Sequence, residues 1–165
     1  MNNILTLLLG YAAYIPEGAE GIIDADLPFA TAQAIPTDGA DDLSENYIDL
    51  GLAAPNAGAK GDLKVKVNIT TTFTVASGTG SILDLVLVSA ATDTTTIAAT
   101  TEHGIIGQLE YVGGAWPTAG ETFTIGGIPA KPQEDYLRYL ALKLQPRGDD
   151  TLFSAGAIDA YLSRE

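Results

Sequence analysis

Three observations predict an all-β protein: an antiparallel β-sandwich of about eight strands with an extended N-terminal arm. From Leu63 to Val75 apolar and polar residues alternate without a miss. Eighteen glycines and eight prolines divide the rest into short segments. No segment has the 3.6-residue apolar spacing of an amphipathic helix. In the alternating run Leu63, Val65, Val67, Ile69, Phe73 and Val75 share one face, with Thr71 among them. Lys64, Lys66, Asn68, Thr70, Thr72 and Thr74 share the other. Successive strand side chains point to opposite sides, so one face is buried and the other wetted. At about 3.3 Å per residue the run spans about 43 Å, a long strand of the kind that packs one face on a core.

The remaining elements follow in order. Residues 1–25 read as an arm: Ile4, Leu5, Leu7, Leu8, Leu9, Tyr11 and Tyr14 are apolar, and Gly10, Pro16, Gly18 and Gly21 interrupt any regular element. Its apolar residues either cover the arm's own domain or reach a neighbouring subunit. In the second case Ile4, Leu5, Leu8, Tyr11 and Tyr14 are the candidate partner-binding residues. Residues 26–165 then form one sandwich domain, since 165 residues leave little room for a second core. Leu27–Leu52 reads as loop-rich, with a turn at Pro36-Thr37-Asp38-Gly39 and a short strand at Tyr47–Leu52. Ala53–Gly61 is a loop, and Gly78-Thr79-Gly80 is a hairpin turn after the long strand. Further strands are expected at Ile82–Ser89, Thr94–Thr100, Ile105–Val112, Thr122–Ile125, Tyr136–Leu144 and Phe153–Leu162. The alternation predicts Val65, Val67, Ile69, Phe73, Leu140, Leu142, Leu144 and Ile158 as core residues facing each other across the sandwich.

Charge narrows the range of partners. Eight basic residues against 21 acidic ones give a net charge of −13. That field repels phosphate backbones and anionic membrane surfaces, so neither nucleic acid nor a membrane is an expected partner. Residues 1–59 hold nine acidic residues and no Lys or Arg. This acidic first third either steers the chain to a basic patch on a partner or serves solubility. Without cysteine there is no disulfide and no thiolate metal site, which suits a reducing compartment. The apolar stretch Ile4–Leu9 has no preceding Lys or Arg, unlike a secretory signal, and no run reaches the ~20 apolar residues of a membrane span.

The residues also argue against catalysis, a cofactor or a metal. His103, in Thr101-Glu102-His103-Gly104, is the only histidine and reads as a solvated loop residue. No serine lies in a Gly-x-Ser-x-Gly context. Carboxylates are plentiful enough for paired-acid glycoside chemistry, but Trp116 is the sole tryptophan to line a sugar cleft. The acidic run Asp38–Glu45 lacks the ligand order of an EF-hand and reads as a solvated loop. Asn68-Ile69-Thr70 matches a glycosylation sequon by chance, inside an expected strand.

Three stretches carry a family resemblance when taken in order. The first is Leu27-Pro28-Phe29-Ala30-Thr31-Ala32-Gln33-Ala34-Ile35, followed after an acidic spacer by Asn46-Tyr47-Ile48-Asp49-Leu50-Gly51. The second is Leu85-Val86-Leu87-Val88-Ser89 with Thr92-Asp93. The third is Tyr136-Leu137-Arg138-Tyr139-Leu140-Ala141-Leu142, leading to Phe153–Leu162. Together they resemble the small jelly-roll capsid cement, or decoration, proteins of tailed bacteriophages. In that family an Ala-Gln-Ala segment precedes Ile-Asp-Leu-Gly, and a late Arg-Tyr-Leu strand precedes the final strand. The resemblance covers Leu27–Leu162, and residues 1–25 extend beyond the family's usual start. It implies a jelly-roll sandwich and a structural role in the virion. Such a protein binds the outer capsid surface, bridges neighbouring major capsid protein subunits, and contacts itself as a homodimer or homotrimer. An exterior protein does not meet the packaged DNA, so the charge of −13 is compatible with that role. The other reading open to the residues is a β-sandwich carbohydrate- or ligand-binding module of adhesin type, using Trp116 with Tyr11, Tyr14 and Tyr47.

Overall fold

A computed structural model describes residues 27–50, 63–75, 80–111, 114–128, 136–148 and 153–164. The arm, the boundary expected at residue 25 and the loop expected at Ala53–Gly61 lie outside the described residues, as does most of the turn expected at Gly78–Gly80.

Among the described residues nine strands occur in chain order: β1 (Leu27–Ala34), β2 (Asp42–Leu43), β3 (Ile48–Asp49), β4 (Leu63–Val75), β5 (Ile82–Ala90), β6 (Thr101–Glu110), β7 (Thr122–Gly127), β8 (Tyr139–Arg147) and β9 (Phe153–Arg164). One sheet has the order β1-β9-β4-β7, and the other β2-β8-β5-β6 with β3 also paired to β8. Every pairing is antiparallel. The chain passes between sheets at most connections, staying in one sheet only from β2 to β3 and from β5 to β6. This wrapping of an antiparallel ribbon is the jelly-roll order. The expected all-β sandwich is therefore the fold, and the long alternating strand is β4 with the bounds its pattern predicts.

The core lies between the sheets. Val65, Val67, Ile69 and Phe73 of β4 and Ile158 of β9 pack in one cluster with Leu140, Leu142 and Leu144 of β8, all of them buried. Every residue of the predicted core is thus in place. Full burial of each such side chain contributes roughly 1.5–3 kcal/mol. Phe73, Phe153 and Trp116 extend the cluster through edge-to-face ring contacts of 5.5 Å. The alternation of β4 survives three register shifts beyond Ile69, although Thr71, on the inward parity, is exposed.

The second sheet is covered on both faces. β5 is buried from Leu83 to Ala90. Leu83, Leu85 and Leu87 enter the main core, whereas Val86 and Val88 join Leu43, Tyr47 and Ala141 in a smaller outer cluster. The cover comes from the chain around β2 and from residues 91–100, whose Ile97 packs on that cluster. This corrects the strand expected at Thr94–Thr100. A short 3₁₀ turn, Ile97–Ala99, stands there, closed by Thr100 N–H and Oγ1 donating to the Ile97 carbonyl at 3.0 and 2.7 Å. Threonine-rich sequence favours extended backbone, but here Ile97 gains burial only if the chain folds over the sheet.

Other boundaries shift for identifiable reasons. Leu27–Ala34, expected as loop, is an edge strand with two register shifts, and Ala32 sits at φ 48°. Asp159 Oδ1 accepts from the Ala32 N–H at 2.7 Å and holds that left-handed residue in place. Of the strand expected at Tyr47–Leu52, Ile48–Asp49 is strand among the described residues, Gly51 and Leu52 lying outside them, and Asp42–Leu43 adds a short strand within the acidic run. β6 starts at Thr101, earlier than the expected Ile105, and β8 runs three residues later than expected, through Pro146. Pro146 is tolerated because β2 pairs with β8 no further than Leu144, so the missing N–H can face an unpaired side.

Both long sides of the sandwich are drawn together. At one, the Asn46 N–H donates to the Phe29 carbonyl at 2.9 Å. At the other, β6 and β7 approach so closely that a Cβ on Gly107 would lie 1.8 Å from Ile125 Cγ2. A Cβ on Gly126 would lie 2.6 Å from the Ile106 carbonyl oxygen. Only glycine fits at these two crossings.

Candidate functional site

The stretches that carry the family resemblance meet in space. Asp49 of Ile48-Asp49-Leu50 accepts two hydrogen bonds from Arg138 of Arg138-Tyr139-Leu140, Nε to Oδ1 at 2.8 Å and Nη2 to Oδ2 at 2.7 Å. Beside this bidentate pair the Leu50 N–H donates to the Arg138 carbonyl at 2.7 Å, and Ile48 pairs with Leu140. The Arg138 guanidinium also lies 5.0 Å from the Tyr139 ring centre. The hydrogen bonds to Asp49 raise its already high pKa further, against the opposing effect of burial. Gln33 of Ala32-Gln33-Ala34 is buried; its Nε2 donates to the Leu43 carbonyl and its Oε1 accepts from the Glu45 N–H, both at 2.9 Å. The signature residues therefore hold the first strand, the acidic segment and the start of β8 together.

His103 lies on β6 and not in a loop. Its Nε2 is 2.7 Å from Ser89 Oγ, and its ring packs 4.5 Å from that of Tyr136. Ser89 Oγ also accepts the Leu137 N–H at 3.0 Å. At 1 % exposure the Ser89 hydroxyl is sealed from solvent, which suits it to tie β5, β6 and the 136–138 turn together and not to meet a substrate.

The acidic segment is used locally. Asp38 Oδ1 accepts from the Ala40 N–H, and Asp42 Oδ1 from the Leu43 N–H. Asp41 lies 3.3 Å from the buried Lys143 Nζ, which also donates to Glu102 Oε1 at 2.5 Å. Asp84, fully buried on β5, pairs with Arg147 and accepts from Gln108 Nε2 at 2.8 Å. Among the described residues no three His, Asp or Glu side chains gather as a metal site would require. None of these cross-strand ion pairs is foreseeable from sequence, because the partners are far apart along the chain: Asp49 and Arg138 are 89 residues apart.

Three buried groups hold their protons more tightly in the folded chain. Burial pushes the Tyr136 phenol from 10.0 up to about 12. Burial, then Asp93 and Asp42, raise Tyr47, whose hydroxyl donates to the Thr94 carbonyl. Burial lowers Lys143, but its bonds to Glu102 and Asp41 outweigh that and leave it raised above 10.5. The folded state therefore binds more protons than the unfolded one in alkali. The stabilisation is complete below pH 10 and is lost as pH rises through the raised values. We expect stability to fall steeply between about pH 10 and 12, read by circular dichroism against pH. Tyr136→Phe should lose less over that interval than the wild type; an equal loss would show that Tyr136 does not drive it.

The remaining predicted site residues divide into two groups. Ile4, Leu5, Leu8, Tyr11 and Tyr14 lie outside the described residues. Trp116 is half-buried, between Tyr111 and Phe153 at ring separations of 5.4 and 5.5 Å, and Tyr47 is buried beneath the 91–100 segment. On the described surface Ile105 of β6, half exposed, is the one exposed large hydrophobic. No protein-family model matches the chain, and no curated protein is significantly similar to it.

Proposed function

We propose that the chain is a capsid cement protein that binds the outer surface of a tailed-phage shell and bridges neighbouring major capsid protein subunits. The observation that carries this reading is the convergence of the resembling stretches. Ile-Asp-Leu and Arg-Tyr-Leu meet in the bidentate Asp49–Arg138 pair, and Gln33 of Ala-Gln-Ala ties β1 to the acidic segment that pairs with the same strand, β8.

The surface supports the same role. A sandwich fixes the geometry of a clamp, and an apolar extension adds a second contact whose effective concentration is set by its tether. Ile105 is the one exposed large hydrophobic on the described surface, and this reading gives the apolar contact with a shell to Ile4, Leu5, Leu8, Tyr11 and Tyr14 of the arm. The net charge of −13 suits a position outside the shell, away from packaged DNA. Self-association as a dimer or trimer on the particle belongs to the same proposal.

The test is direct binding. Purified protein mixed with empty, expanded shells of its phage should sediment with them in saturable amounts. Failure to co-sediment at any protein concentration would overturn the proposal.

A further inference from the structure

Beside the crossing of β6 and β7 lies a shallow cleft lined by Gln108, Glu110, Trp116, Pro117, Glu121 and Phe123. We propose that it binds a neutral oligosaccharide, a function independent of the shell contact argued above.

The cleft is held in shape before any ligand arrives. The Pro117 carbonyl accepts from the Phe73 N–H at 2.9 Å, the Glu121 carbonyl accepts from the Ile69 N–H at 2.9 Å, and the Gly120 N–H donates to the Ile69 carbonyl at 2.8 Å. The loop from Pro117 to Glu121 is thereby fastened along β4. Trp116 is braced edge-on by Tyr111 and Phe153 and packs against the main core, so its indole cannot swing away. Ordering costs on binding are correspondingly small.

The chemistry of the wall selects the ligand. The half-buried Trp116 and Phe123 supply an apolar wall for the C–H face of a sugar ring. Among the described residues the exposed Glu110 carboxylate and the Trp116 indole N–H have no hydrogen-bond partner, and Gln108 commits its Nε2 to Asp84 while its Oε1 remains an acceptor. Glu121 uses Oε2 to accept the Thr118 N–H at 2.8 Å and keeps its other oxygen. Several acceptors, one donor and an apolar wall match a ligand with many hydroxyl donors and no negative charge. Phosphorylated or uronic sugars would face two carboxylates on a chain of net charge −13. A plain hydrocarbon would leave the Glu110 carboxylate and the indole N–H desolvated without partners.

Trp116 is the only tryptophan, so fluorescence of the full-length protein excited selectively at tryptophan, beyond the absorption of its seven tyrosines, reports on this cleft. Cellotriose, maltotriose and tri-N-acetylchitotriose serve as probes, with a trigalacturonate and a lysine-containing apolar peptide as contrasting arms. At least one neutral trisaccharide should give a saturable change in emission, and the trigalacturonate none. Glu110→Ala, an exposed substitution outside the core, should weaken that response by about tenfold or more, the effect of losing a hydrogen bond to a charged acceptor. Absence of a saturable change with all three sugars would overturn the proposal. So would a response undiminished in Glu110→Ala, or a response to the peptide with none to the sugars.

Discussion

Val67→Asp should abolish folding. Val67 is fully buried at the middle of β4, paired with Phe123 of β7 on one side and Ala160 of β9 on the other, and its side chain faces the opposite sheet. A carboxylate there has no cation within the core to pair with, and burying it costs several kcal/mol. A domain of this size has about 5–15 kcal/mol of stability in total. Loss of the β-sheet circular dichroism signal and of a cooperative melt is the expected result. Thr70→Asp, at an exposed position of the same strand, should shift stability by no more than about 0.5 kcal/mol. The pair tests the register, because a slip of one residue exchanges the two faces. A wild-type melting temperature for Val67→Asp would show the assigned face to be wrong.

Deleting residues 1–25 should separate folding from decoration. Among the described residues the core begins at Phe29; if the arm packs on a neighbouring subunit, as proposed, the truncated chain should stay soluble and melt near the wild-type temperature. Burial of even a few of the apolar arm residues on a neighbouring subunit, at roughly 25 cal/mol per Å², contributes several kcal/mol before ordering costs. Decoration of shells by the truncated protein should therefore weaken by about a hundredfold or more. Aggregation or unfolding of the truncated chain would place the arm in its own domain's core. Undiminished decoration would assign the shell contact to the loops of the sandwich.

The sequence is most legible where one physical rule acts alone. β4 has one buried and one wet face, so period-two alternation gives its bounds and its core residues. β5 is harder to read, because its second face is buried under residues 91–100 and the pattern Leu-Asp-Leu-Val-Leu-Val reports burial without direction. β1 is hidden by its composition: Pro28 and the small residues of Ala30-Thr31-Ala32 carry a weak strand signal, and two register shifts break the period. The threonines of 94–100 misdirect in the opposite sense, since their extended preference yields to the burial of Ile97. For the site, sequence order picked out Gln33, Asp49 and Arg138 within the resembling stretches, but not the Asp49–Arg138 pair or the bonds of Gln33 to Leu43 and Glu45. His103 reads as a loop residue because Gly104 follows it, whereas the glycine lies within the edge strand at φ 120°. Trp116 is conspicuous as a lone aromatic, but its bracing by Tyr111 and Phe153 depends on the packing of the two sheets.

A three-dimensional map of the particle tests the cement reading most directly. Empty expanded shells incubated with the full-length chain should show density for the two-sheet sandwich on the outer surface, seated across the boundary between major capsid protein subunits. Copies should touch one another as pairs or trios, with the arm reaching a neighbouring subunit. Bare shells at saturating protein, or copies bound within a single subunit with no bridge between neighbours, would contradict it.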